Sequence, residues 1–309
     1  MSNAESKLRV RNGKQMNRLH EGLGRNPVQK TRLETISPDA VPDDLVLTEI
    51  VNNAQVDGMK GANGSRKTAE TRQVLEIEDA PTVRVLPSPG SRLVAWGEYS
   101  LGAERFRALA IRLDDLRKQN QLTSVQVTSS VINEGKTFVA ANLAVTLAKY
   151  SASRTLLVEG DLHRPTLASL FGLKDMPGLS DWWANPGQDI AQYIVRFEGT
   201  GLWFLPAGKA YHQPSEILHS PRLQEAFALL ASRFDWTVVD STPMLPVIDA
   251  NLWSRLVDGT LLVVRQGVAP LKALKEGLQS LDRPKLVGVV VNEVSNQMNY
   301  DGQYYGPVK

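Results

Sequence analysis

The segment Ser130-Val-Ile-Asn-Glu-Gly-Lys-Thr137 restricts what this chain can fold into more than any other. A β-type run, Val125-Gln-Val-Thr128, precedes it, and Phe138-Val-Ala-Ala-Asn-Leu-Ala-Val-Thr-Leu-Ala148 after it is patterned as a helix. Strand, tight loop ending in Gly-Lys-Thr, then helix is the setting of a phosphate-binding loop. Successive backbone N–H groups and the helix N-terminus converge on one spot and favour an anion there. Lys136 is then expected at the β- and γ-phosphates of a nucleotide, and the Thr137 hydroxyl on Mg²⁺. The nucleotide-binding set expected from the loop is Ser130, Asn133, Glu134, Gly135, Lys136, Thr137 and Phe138. Ser130 stands where the usual pattern has its first glycine.

Two further strand ends carry acids. Thr155-Leu-Leu-Val-Glu-Gly-Asp161 ends in Glu159 and Asp161, and Trp236-Thr-Val-Val-Asp240 ends in Asp240. An acid after four apolar strand residues is the arrangement that holds Mg²⁺ directly or through water. The ion needs only a hydroxyl, phosphate oxygens and one or two carboxylates, so Thr137, Asp161 and Asp240 form the expected metal set. A lone strand-end acid also serves as a cap or turn residue; three beside one Gly-Lys-Thr loop favour the metal. Glu159 and Asp161, two carboxylates so close, push their pKa values apart, which lets one hold metal while the other accepts a proton. Lys136, Glu159, Asp161 and Asp240 are therefore the catalytic candidates. Arg164 is left open between stabilising phosphate charge and an ordinary surface role, and His163 is read as a partly exposed loop histidine.

The rest of the chain fits an α/β protein. Strands are expected at 125–129, 154–159, 202–206, 236–240, 259–265 and 286–292, and helices near 103–119, 137–149, 165–171, 178–184, 220–234, 249–255 and 270–281. This alternation implies a parallel sheet with helices on both faces, a three-layer sandwich, with ligands beyond the carboxyl ends of the strands. Residues 1–85 read as a largely disordered basic arm and linker, 86–295 as the folded domain and 296–309 as a flexible tail. Apolar residues are sparse in the arm, which is read as solvated, contact with an anionic membrane surface being the alternative. A net charge of +2 gives no case for nucleic acid, and zero cysteines exclude disulfides, Cys-ligated zinc and thiol catalysis. No stretch approaches the ~20 apolar residues of a membrane span, and the N-terminus lacks an apolar signal core. A soluble, intracellular protein is expected.

Together these residues resemble the bacterial tyrosine kinases of capsule and exopolysaccharide synthesis, over roughly residues 86–305. The resemblance rests on Ala103-Glu-Arg-Phe-Arg107, the phosphate loop, Leu156-Leu-Val-Glu-Gly-Asp-Leu-His-Arg-Pro165, Phe234-Asp-Trp-Thr-Val-Val-Asp-Ser-Thr-Pro243, Asp249-Ala, Val257-Asp-Gly-Thr-Leu-Leu-Val-Val264 and Val287-Gly-Val-Val-Val-Asn292. It implies an ATP- and Mg²⁺-dependent autokinase with a ParA/MinD-like fold, active on tyrosines in its own tail. It also implies a homo-oligomeric ring, a separate transmembrane polysaccharide co-polymerase as activator, and a cytoplasmic location at the inner face of the membrane. Related positioning ATPases carry a signature lysine where this chain has Val131. Glu159 replaces the aspartate proposed as base, which lengthens the reach by one methylene. His163 replaces an arginine, and in the ring-forming helix motif Glu104 and Arg107 are present while the third position is Ala110.

The tail Asn299-Tyr-Asp-Gly-Gln-Tyr-Tyr-Gly306 holds three of the seven tyrosines, Tyr300, Tyr304 and Tyr305, among Gly, Asn and Gln. They are the expected phosphoacceptors. A nucleotide-switched scaffold without kinase activity is the alternative. A reductase is disfavoured because no Gly-x-Gly-x-x-Gly is present, and Asn292 at the end of the last strand is a candidate contact for the base.

Overall fold

The computed structural model describes residues 77–87, 92–97, 100–211, 213–245, 247–281 and 283–292. Tyr300, Tyr304 and Tyr305 lie outside the described residues, as does residues 1–76 of the basic arm. The folded part reaches back past the expected boundary at 86: Ile77 is buried, and its carbonyl accepts a hydrogen bond from Trp203 Nε1 (3.2 Å).

The chain runs β1 (Thr82–Val83), α1 (Leu101–Asn120), β2 (Ser124–Ser129), α2 (Lys136–Tyr150), β3 (Thr155–Glu159), α3 (Leu167–Leu170), α4 (Leu179–Ala184), β4 (Val195–Phe197) and β5 (Leu202–Leu205). It continues through α5 (Pro214–His219), α6 (Pro221–Ala231), β6 (Trp236–Asp240), α7 (Asp249–Leu256), β7 (Gly259–Arg265), α8 (Leu271–Ser280) and β8 (Leu286–Asn292). One sheet has the order β1-β4-β5-β3-β6-β2-β7-β8. The six strands from β5 to β8 are parallel; β4 joins β5 antiparallel, and β1 pairs with β4.

Alternate residues of each central strand enter opposite layers, as strand geometry requires. In β3, Leu157 packs with α1 and α2, against Phe106, Leu113, Leu143 and Leu147, whereas Leu156 and Val158 face Phe227, Leu230 and Trp253 from α6 and α7. Both layers are apolar, so every residue of β2, β3 and β6 is buried. Helix α2 lies between α1 and the sheet and is apolar nearly all round, as a doubly covered helix must be. Helix α1 is capped by Ser100, whose Oγ accepts from Ala103 N (3.1 Å), and ends with Gln121 in the left-handed conformation (φ 55°).

The six expected strands form, and each expected helix has a counterpart. β1, β4 and α5 were not expected. The first two span two and three residues and α5 six, too short to show a period. In α1, Ala110 is buried in the core while Glu104 pairs with Arg107, whose guanidinium lies 3.9 Å from the centroid of the Tyr150 ring.

Candidate functional site

β2, β3 and β6 are adjacent and parallel, so the phosphate loop, Glu159-Gly-Asp161 and Asp240 emerge at the same edge of the sheet. The loop turns on two left-handed residues, Asn133 (φ 67°) and Gly135 (φ 96°). Asparagine tolerates that conformation better than most side chains. Gly135 is further constrained by space, because a Cβ there would lie 2.1 Å from Asn292 Nδ2. That amide donates to the Glu134 carbonyl (3.0 Å) and ties the end of β8 to the loop.

Not every side chain of the expected binding set faces the cavity. Glu134 is fully buried and turned inward: Oε2 accepts from Val131 N (2.9 Å) and Oε1 from Arg265 N (3.3 Å). Phe138 packs edge-on against Phe106, 5.7 Å between centroids. Ser130 is fully buried and its Oγ has no hydrogen-bond partner. A Cβ added to Gly277 of α8 would lie 3.3 Å from that oxygen, so the small residue at 130 fits under α8. These three positions offer backbone only. The first intrahelical bond of α2 runs from Val139 N to Gly135 O (2.9 Å). The N–H groups of Lys136, Thr137 and Phe138 precede it, at the end of the helix that favours an anion.

Lys136 is the charged centre. Its Nζ donates to Asp161 Oδ2 (2.8 Å) and to Thr137 Oγ1 (3.2 Å) and lies 3.6 Å from Asp240 Oδ1. Burial works against the ammonium, yet the charges of Asp240 and Asp161 prevail and hold Lys136 above its ordinary pKa. Burial pushes the Asp240 carboxyl up to about 6 against the pull of Lys136. Both Asp240 oxygens are buried without a hydrogen-bond partner. A buried carboxylate that makes no hydrogen bond, beside a hydroxyl and a second carboxylate, fits the donor set of a hard cation. Among the described residues no three His or acidic side chains converge. A cation there would take further ligands from phosphate and water, as Mg²⁺ does.

Glu159 has a different placement from that expected of a base. Oε1 accepts from Leu167 N (2.6 Å) and Ala168 N (3.2 Å), and Oε2 from Ala207 N (3.0 Å). The carboxylate thus braces the start of α3 and the segment after β5. It is 1% exposed and does not line the cavity. Burial raises its pKa and the three N–H donors oppose that rise. Asp161 does line the cavity, with Oδ1 accepting from Arg164 N (3.0 Å).

The cavity itself, about 600 Å³, opens beside Asn133, Gly135, Lys136, Thr137 and Asp161, within the range of small-molecule sites. Its other wall comes from Thr242, Leu245 and Val247, together with His163 and Thr166. The signal for Thr242, Leu245 and Val247 was their place just after the strand ending in Asp240, and for His163 and Thr166 their place after β3. Arg265 contributes through the loop, its backbone holding Glu134 and its guanidinium donating to Asn133 O (3.4 Å).

No family model matches the chain. The chain is similar to the succinoglycan biosynthesis transport protein ExoP of Rhizobium meliloti (strain 1021), 33% identical over 219 residues, which are 69% of this chain and 27% of that protein. The tyrosine-protein kinase YwqD of Bacillus subtilis (strain 168) is 28% identical over 209 residues, 67% of this chain and 87% of the relative. Among solved structures, the chimerical protein CapA2B2 superposes with a TM-score of 0.62 at 27% identity, covering 68% of this chain and 92% of that one. The chain therefore spans about a quarter of the length of ExoP and most of the length of YwqD.

Proposed function

The chain belongs to the bacterial tyrosine kinases, and we propose that it is an ATP- and Mg²⁺-dependent protein-tyrosine autokinase acting in exopolysaccharide synthesis and export. The observation that carries this reading is the Lys136 ammonium at the N-terminus of α2, between Asp161 and the buried carboxylate of Asp240. Lys136 and the N–H groups of the loop would orient the β- and γ-phosphates, while Thr137, Asp161 and Asp240 would hold the cation. The neutralisation of charge that phosphoryl transfer requires would come from that cation. A loose transition state asks little of a base, which accommodates a Glu159 already engaged by three backbone donors.

The acceptors in this reading are Tyr300, Tyr304 and Tyr305. Asn292 is fastened to the phosphate loop, and the eight residues from there to Tyr300 span at most roughly 27 Å when extended. The first tail tyrosine is thus within reach of its own cavity or a neighbour's. The protein acts as a homo-oligomer, with a separate transmembrane co-polymerase as activator at the inner face of the cell membrane. No helix among the described residues is long and apolar enough to cross a membrane.

A second reading, a nucleotide-switched scaffold that phosphorylates no protein, is favoured by the bracing role of Glu159. Incubation of the chain with ATP and Mg²⁺, with and without its membrane activator, separates the two. Phosphotyrosine that disappears in Lys136→Met supports the kinase. ATP binding with no phosphotyrosine under either condition supports the scaffold.

A further inference from the structure

We propose that His163 is a positioning residue for Asp161, acting through Asp249 and helix α7. The proposal rests on Asp161 being a cation ligand, as read above. The loop from Gly160 to Arg164 carries Asp161 to the cavity, and α7 holds it at both ends. At one end Trp253 Nε1 donates to the Gly160 carbonyl (3.0 Å). The fit there is close: a Cβ on Gly160 would lie 2.8 Å from the Trp253 ring and from Val239. At the other end His163 Nε2 lies 3.0 Å from Asp249 Oδ2, in the first turn of α7. The Asp249 side chain is 3% exposed, that of His163 42%. The contact is one of proximity between the imidazole and a buried carboxylate, since Asp249 Oδ2 makes no hydrogen bond of good geometry.

What the contact fixes is the next peptide. Arg164 N donates to Asp161 Oδ1 (3.0 Å), which leaves Oδ2 directed at Lys136 Nζ (2.8 Å). Releasing His163 frees residue 164, and with it the oxygen that orients the Asp161 carboxylate. Groups that orient a metal-binding carboxylate in this way typically alter metal affinity 10–100-fold when removed. The loop shares its cavity with the segment that α7 follows, since Thr242, Leu245 and Val247 line it too.

The test is a fluorescence titration of the full chain with a fluorescent ATP analogue, reading the Mg²⁺ concentration that half-saturates nucleotide binding. His163→Ala is expected to raise that concentration about tenfold. His163→Arg, which keeps an N–H donor beside Asp249 at a partly exposed site, is expected within about twofold of the parent. In an Asp161→Asn background His163→Ala is expected to add no shift, because the carboxylate it positions is gone. An unchanged Mg²⁺ requirement in His163→Ala, or the same tenfold shift in the Asp161→Asn background, would overturn the proposal. The readout is binding, so the expected pattern in a chain that phosphorylates no tyrosine still supports the positioning role while counting against the kinase reading.

Discussion

Asp240 illustrates how a single buried carboxylate ties chemistry to stability. Burial raises its folded pKa from 3.8 to about 6. Between those values the folded protein holds a proton that the unfolded chain has lost, so the contribution of this group to stability falls as pH rises through the window. Converted at about 1.4 kcal/mol per tenfold, the cost at neutral pH is roughly 3 kcal/mol. Urea unfolding in chelator is therefore expected to show Asp240→Asn more stable than the parent at pH 7, with the gain vanishing below about pH 4. A destabilised Asp240→Asn at neutral pH would contradict this. Glu159 is shifted in the same direction by burial, but its oxygens also accept three N–H groups, so an amide there loses an acceptor. Glu159→Gln turns an NH₂ toward a backbone donor and orphans it, and a loss of about 1 kcal/mol is expected in the same measurement. The acids at 159, 161 and 240 were legible as a group because each lies at or just past the end of a strand. Their separate tasks were not, since which backbone N–H meets which oxygen depends on the folds of α3 and of the segment after β5.

At the scale of elements, the parallel core was readable because continuous apolar runs such as Arg154-Thr-Leu-Leu-Val158 end in turn residues and alternate with helical periods. The edge strands β1 and β4 were not, since two or three residues carry no period and their pairing is fixed only by contact with β5. What holds the start of the central strands in register was also hidden. Asp258, just before β7, accepts from Thr123 and Ser124 at the start of β2 through both backbone N–H groups and both hydroxyls, all within 3.0 Å. Burial pushes its pKa up, but these donors prevail and hold it below the ordinary value. A depressed pKa stabilises above the unfolded value of 3.8 and is lost as pH falls through the folded one. Asp258→Ala is expected to cost about 1–2 kcal/mol at pH 7 and to lose most of that deficit only in strong acid. A deficit unchanged down to pH 2 would show that packing, not the carboxylate, is at work.

For the whole molecule, the sheet order brings the phosphate loop, two acid-bearing strand ends and the last strand to one edge, and the tail follows from that strand. The family was recognisable in sequence because its motifs mark that edge; the cavity wall at Leu245 and Val247 and the Trp253 contact of α7 come from residues with no motif of their own. The central claim is that the Lys136 site transfers phosphoryl groups to the tail. Its most direct test is tandem mass spectrometry of the C-terminal peptide after incubation of the full chain with ATP, Mg²⁺ and the membrane activator. Phosphate on Tyr300, Tyr304 or Tyr305, absent from Lys136→Met treated in parallel, is the expected result. An unmodified tail in a parent protein that binds ATP, or equal tail phosphorylation in Lys136→Met, would contradict it.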